Sequence, residues 1–355
     1  MTYNIVNLHK ENKEEWLNFC NVHETAWVHH KGITCLDSDD NHSFMVKDDS
    51  NVVAIVSFNV EKHVIDSNTY LTATLFGLSN PQPIVNQKYI GSKQLKKINN
   101  YIYDNLDKKS RELNISRVAF NLNSDLYVKG NGFNCFNNLC RYDYLDVSLK
   151  SILIDLQNPI ELLWSKLSKG HRSDLRKYID SDCYNIEIFN HKNIDKKQFD
   201  LKELLLPLES FSEDHLEYLS NLFILGLAEV INLCESGKVK ASALMLVDKD
   251  TVQYHEAKKF TDVQLPLHHI LLWKAFIHYK SNNKKIIDLG VFSYSSTLFY
   301  INDEKKNDIA IFKRGFGGDI YPFYAGEKYF STDYFYKIME ERIECYERTI
   351  SLVRD

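Results

Sequence analysis

One stretch of the chain gathers polar residues of catalytic type inside elements that should be apolar. Tyr254-His255-Glu256 lie within a β-rich run, Asp288 sits in Ile286-Ile287-Asp288-Leu289-Gly290, and Lys313 follows Ile309-Ala310-Ile311-Phe312. A charge taken out of water is costly unless it is paired or used, so such positions are functional candidates. Alternation along a strand sends Tyr254 and Glu256 to one face and His255 to the other. A neutral histidine can accept a proton near neutral pH. A carboxylate that closes an apolar strand before a glycine stands where ligands approach α/β sheets. Lys313 is read as following a strand and preceding a tight turn, Gly315-Phe316-Gly317-Gly318. From there its cation could stabilise negative charge developing on a carbonyl oxygen. Structural roles compete with each reading: a hydrogen-bonded core histidine for His255, and a turn cap for Asp288.

A basic cluster precedes this stretch: Lys166, Lys169, His171, Arg172, Arg176 and Lys177. Arg172 and Arg176 are four apart, so on a helix they project from one face and could grip a phosphate or carboxylate. From spacing alone, a solvated helix face with Asp174 and Asp180 as partners explains them better.

Several chemistries lack their motifs. There is no nucleophile elbow, no HExxH and no Walker loop. His268 and His269 are adjacent on a predicted helix and point different ways, so they make poor metal co-ligands. Of the seven cysteines only Cys135 and Cys140 are close, and no second Cys or His pair accompanies them. Free thiols in a reducing compartment are expected, with no metal site.

The elements that must carry these residues follow from pattern. Asn51–Val60, Thr69–Phe76 and Ile115–Leu122 read as strands, and Lys93–Leu113 as a helix with Leu95, Ile98, Ile102 and Leu106 on one face. The order then recurs. Lys238–Val247 and Thr251–Phe260 form a hairpin about Asp248-Lys249-Asp250, Pro266 opens a helix to Tyr279, and Ile286–Leu289 makes a strand. Between the two sets, Asn158 caps a predicted helix with Pro159 at its first position. A second helix carries Leu175, Tyr178 and Ile179. Ser212 caps a longer one whose Leu216, Leu219, Phe223, Leu227, Val230 and Cys234 face inward. The plan predicts an α/β (α+β) protein of two similar domains, residues 1–150 and 151–355.

At 355 residues, 44% hydrophobic and 26% charged, the chain suits two soluble domains. A formal charge of −5 disfavours non-specific nucleic-acid binding, and DNA is not an expected partner. No apolar run approaches the ~20 residues that span a bilayer. The N-terminus has no basic region ahead of an apolar one, so a cytoplasmic protein is expected.

Together, Leu162–Tyr178 (LLWSKLSKGHRSDLRKY), Tyr254–Phe260 (YHEAKKF), Gln264–Tyr279 (QLPLHHILLWKAFIHY), Ile286–Gly290 (IIDLG) and Ile311–Gly318 (IFKRGFGG) resemble the Fem-type branch of the GNAT acyltransferase superfamily. That branch includes peptidoglycan bridge aminoacyltransferases and polysaccharide-associated acyltransferases. The resemblance implies two tandem GNAT-like domains with mixed sheets flanked by helices, and transfer of an acyl or aminoacyl group to an amine of a cell-envelope precursor. It assigns Lys313 to charge stabilisation and Arg172 and Arg176 to a phosphorylated acceptor. With the residue reading, the expected catalytic set is Lys313, His255 and Asp288, and the substrate-binding set is Arg172, Arg176, Tyr254 and Glu256. No cofactor is held permanently. The donor is either aminoacyl-tRNA or an acyl-CoA, because Lys258–Leu265 (KKFTDVQL) offers no glycine-rich phosphate loop. A CoA-dependent N-acyltransferase of an amino sugar is the second reading, and a non-catalytic binding domain the third.

Overall fold

The computed structural model describes residues 2–36, 39–122, 137–178, 183–193, 212–260, 265–294, 296–297, 300–301 and 303–351. The chain divides into two compact units. One comprises Met1–Leu149, Ser293–Glu304 and Pro322–Asp355; the other comprises Lys150–Phe292 and Lys305–Tyr321. This differs from the expected 1–150 and 151–355 at the C-terminal end. There Ala325–Tyr329 pairs with Ile115–Asn121, from Ala325↔Asn121 to Tyr329↔Arg117. That ladder satisfies its backbone groups in the first unit and so returns the chain to it.

The first unit begins with strands β1 (Tyr3–Asn7), β2 (Phe44–Asp48), β3 (Asn51–Val56), β4 (Glu61–Ile65), β5 (Asn68–Ala73), β6 (Asn80–Pro81), β7 (Ile84–Val85), β8 (Ile115–Asn121) and β9 (Leu145–Asp146). Helices α1 (Lys13–Val22), α2 (Val28–Gly32) and α3 (Lys93–Glu112) accompany them. Helix α3 starts at Ser92, whose hydroxyl accepts the Leu95 N–H, and it buries Ile98, Ile102 and Leu106. It joins β5 to β8, which run parallel from Leu71↔Ile115 to Ala73↔Val118. Parallel neighbours need such a crossover. The core here includes Phe44, Val53, Ile98, Leu106, Val118 and Phe120.

The second unit contains β10 (Leu149–Asp155), α4 (Ile160–Lys166), α5 (Lys169–Arg176), β11 (Tyr184–Phe189), α6 (Glu213–Ile224), β12 (Ala228–Glu235), β13 (Lys238–Asp248), β14 (Thr251–Lys259), α7 (Leu267–Ser281), β15 (Ile286–Phe292), α8 (Glu304–Arg314) and β16 (Asp319–Phe323). The chain then adds β17 (Ala325–Tyr329) and α9 (Thr332–Ser351) to the first unit. The sheet order is β11-β12-β13-β14-β15-β10-β16. In it β14 and β15 are parallel neighbours, again joined by a crossover helix, α7. Leu267, Ile270, Leu271, Trp273, Phe276 and Tyr279 of α7 are buried in the core with Ile231, Ile287 and Phe316.

Irregular pairing around β14 and β15 shapes this sheet. The β14–β15 ladder runs from Thr251↔Ile286 to Gln253↔Asp288 and stops, although β14 continues to Lys259 and β15 to Phe292. Opposite β13, Leu244 pairs with Glu256 and Met245 with Tyr254, so His255 is the extra residue of a bulge. On the other side, Ser151↔Val291 is followed by Leu153↔Asp288, which places Leu289 and Gly290 opposite Ile152 alone. Gly290 has φ +78°, a conformation that favours glycine.

Three local expectations need correction. Leu227, Val230 and Cys234 do not continue α6. Gly226, at φ +74°, ends that helix, with Leu227 N–H bonding to Leu222 O at 2.8 Å, and the β-branched run Val230-Ile231 enters β12. Asn158 is not an N-cap; its side chain donates to Asp155 O at 3.0 Å. The apolar run before Lys313 is helical. Ile179 lies outside the described residues. Among the described residues no helix is long and apolar enough to cross a membrane.

Candidate active site

Lys313 stands in the last turn of α8, not after a strand. A four-residue apolar run fits either period, and here its flanks decide. Glu304-Lys305-Lys306 supply helix formers at the start, Lys313 and Arg314 suit the negative end, and Gly315 follows, its N–H bonding to Ile311 O at 3.0 Å. The lysine head reaches into the gap left by the interrupted ladder. Its Nζ donates to Val291 O on β15 at 2.9 Å. A Cβ added to Gly290 would lie 3.3 Å from that Nζ and 3.5 Å from Tyr254 O. Glycine at 290 thus keeps the gap open for the cation.

Withdrawal from water pulls the Lys313 ammonium down to about 8, while the negative charges of Asp288 and Glu256 act the other way. Asp288 is 2% exposed. Its Oδ1 accepts the Ser151 hydroxyl and, at 2.7 Å, the Gly290 N–H. This carboxylate therefore holds the β15 bulge in shape and faces the lysine charge. Glu256 is half-buried on β14. Burial raises the Tyr254 phenol far above its ordinary range, and Glu256 adds to the shift.

His255 meets a different neighbour. Its ring lies edge-on to His215 of α6, with centroids 6.3 Å apart. Burial, then the proximity of His215, pushes His255 down to about 4; burial alone does the same to His215. His255 is therefore neutral at physiological pH and a weak proton acceptor, suited to hydrogen bonding more than to general base work.

Arg172 donates from Nη1 to Ser165 O at 2.8 Å, and Arg176 is exposed. Their helix is fixed to α8 by its own histidine. Ser168 caps α5 by accepting the His171 N–H, and the His171 Nε2 donates to Phe312 O at 2.9 Å. That ring packs on Phe316 and His269, at centroid distances of 4.7 and 4.2 Å. A Cβ at Gly315 would lie 2.1 Å from His171 Cε1, so only glycine allows this approach. The glycines after Lys313 allow close packing, Gly315 and Gly317 against α5 and α4 and Gly318 against β10.

Of the expected site residues, Lys313, Asp288, Glu256 and the Tyr254 backbone converge, whereas His255 is turned to His215 and the two arginines lie on α5. Sequence reasoning missed Ser151, His215 and the His171–His269 contact. Ser151 left a trace, as a hydroxyl inside the Ile152-Leu153-Ile154 strand. Among the described residues no group of three or more His, Cys, Asp or Glu could hold a metal ion. Cys135 lies outside them.

No protein-family model matches the sequence, and no curated protein is similar to it in sequence. The fold has clear counterparts. The chain is similar to FemX, with TM-score 0.60 at 12% identity, over 95% of this chain and 100% of that one. It is also similar to the C-terminal domain of a putative lysylphosphatidylglycerol synthetase from Agrobacterium fabrum, with TM-score 0.56 at 14% identity over 89% and 91%. L-PGS from Bacillus licheniformis gives TM-score 0.55 at 12% identity over 95% and 97%. The Fem-type resemblance of the sequence thus holds at the level of the fold, a mixed α/β architecture carried over nearly the whole chain.

Proposed function

We propose that the second unit is an acyl- or aminoacyltransferase that moves an activated acyl group onto an amine of a cell-envelope precursor. The observation that carries this reading is Lys313 held in the open seam between β14 and β15, tied to Val291 O and facing Asp288 and Glu256. An amine attacking an ester or thioester carbonyl puts negative charge on the carbonyl oxygen. A fixed ammonium stabilises that charge more than it stabilises the neutral donor, so it acts on the transition state. The new C–N bond forms as the C–O or C–S bond breaks; the leaving oxygen or sulfur gains a proton and the amine loses one. Glu256, half-buried beside the lysine, is the carboxylate suited to hold the incoming ammonium and take that proton. Asp288 acts through the bulge that positions Lys313. Neutral His255, turned to His215, stands apart from this group.

Arg172 and Arg176 offer two guanidinium forks for a phosphate of the acceptor, on a helix fixed to α8 by His171. The Fem and lysylphosphatidylglycerol synthetase names of the structural counterparts support an envelope acceptor and an aminoacyl donor. A CoA thioester has its own support: past Gln253, β14 lacks its β15 partner, and an extended amide-bearing arm can add to such an edge.

The reaction is tested by offering the purified protein aminoacyl-tRNAs or acyl-CoAs against two acceptors, a nucleotide-linked muramyl peptide with a free lysine amine and an amino-sugar nucleotide. Mass spectrometry should find an amide product from one donor class. If neither donor yields an amide while the precursor still binds, the protein is a binding module and the catalytic reading is wrong.

A further inference from the structure

Gln253 has no role in the transfer proposed above, yet it stands at the point where the sheet opens. Gln253↔Asp288 is the last rung of the β14–β15 ladder before the seam that holds Lys313. The residue is half-buried, and its Oε1 is buried with no hydrogen-bond partner among the described residues. A buried acceptor left unpaired is costly, so it asks for a donor that arrives with a ligand.

The pairing of β14 decides what faces this oxygen. Val252, Ile287 and Leu289 are buried in the core under α7, and Tyr254 packs against it. Gln253 and Asp288 alternate with those residues and so look out from the opposite face. Plain alternation would send Glu256 to the face of Tyr254. The extra residue at His255 reverses this. Gln253 pairs with Leu246 and Glu256 with Leu244, and residues two apart on β13 share a face. Gln253, Glu256 and Asp288 therefore lie on one face, around the mouth of the seam. Two positions along a strand separate Gln253 from Glu256, roughly 7 Å. A nitrogen set between their oxygens, at about 2.9 Å from each, bridges that gap.

We infer that Gln253 binds the attacking amine of the acceptor. This rests on the transferase reading and adds to it the residue that aims the nucleophile. A neutral primary amine has two N–H bonds and one lone pair. Donating one N–H to Gln253 Oε1 and the other to Glu256 leaves the lone pair for the carbonyl whose oxygen meets Lys313. As the C–N bond forms and the C–O or C–S bond breaks, the surplus proton passes to Glu256. A carboxamide suits the other position because it orients an amine without holding it as an ammonium, which has no lone pair to attack with.

Isothermal titration of the full chain tests this with two ligand pairs. One is a nucleotide-linked muramyl peptide carrying lysine, against the same peptide with norleucine. The other is an amino-sugar nucleotide, against its hydroxyl counterpart. In one pair the amine form should bind about tenfold more tightly, and Gln253→Met should abolish that preference while leaving the amine-free form bound as before. Unchanged binding of the amine-free form also shows that the variant is folded. Gln253→Glu provides a second arm: it should keep the preference, yet transfer more slowly at neutral pH and recover as pH rises and the amine loses its proton. Lys313→Met should keep the preference too. A preference that persists without an amide product would fault the transfer and leave the amine subsite standing. Equal binding within both pairs, no binding of either, or a preference that survives Gln253→Met would overturn the inference.

Discussion

Lys313 is an expensive side chain where it stands. Its ammonium is pulled from an ordinary 10.5 down to about 8, so the fold favours the neutral amine. The protonated form therefore destabilises the protein below pH 8, and this penalty fades as pH rises from 8 toward 10.5. Lys313→Met should consequently be more stable than the parent at pH 7, by up to about 3 kcal/mol, as read from thermal or denaturant unfolding. An unchanged or lowered stability would mean that the lysine is not strained by burial. Its role as a cation sets the sign of a second prediction. The transfer rate should fall as pH rises through about 8, whereas a rate rising through the same pH would make the lysine a base. His255 was legible as a polar residue inside a strand, but its neighbour was not. His215 lies forty residues earlier in the chain, and only the packing of α6 brings the two rings together.

At the scale of elements, the site depends on two strands that part company. The strands themselves were legible: β13, β14 and β15 follow from β-branched runs and a tight turn, and α7 from its length and apolarity. The parting was not, because it rests on a one-residue bulge at His255 and on the left-handed Gly290, neither of which alters hydrophobic pattern. Lys313 was assigned to a strand for a related reason, since Ile309-Ala310-Ile311-Phe312 is too short to reveal its period. Gly290→Ala probes the gap directly. A left-handed alanine costs about 1–2 kcal/mol, and its methyl would crowd Nζ at 3.3 Å. Unfolding should show that loss together with a lower kcat; full activity would mean that the lysine needs no open seam. On α5, replacing Arg172 and Arg176 together by Ala should raise the acceptor KM roughly tenfold or more with little change in kcat. Lysine replacements should not restore binding, because a lysine cannot form the two-pronged contact. An unchanged KM would return both arginines to the solvated surface.

Over the whole molecule, a repeated strand–helix–strand plan is what the sequence made legible, and both units have it: β5, α3 and β8 in one, β14, α7 and β15 in the other. The return of β17 and α9 to the first unit was not legible, because pairing between strands two hundred residues apart leaves no local period. The likeness to FemX over 95% of the chain at 12% identity makes the same point, since the topology is shared while few side chains are. The fold alone does not separate a transferase from a binding protein, and the proposed transferase reading rests on Lys313 first. The most direct measurement is kcat and KM of folded Lys313→Met, with the donor and acceptor that give an amide product. Methionine keeps most of the bulk and removes the charge. The account predicts a kcat lower by ~10²–10³ with KM nearly unchanged. Turnover near that of the parent protein would contradict it and remove Lys313 from the reaction.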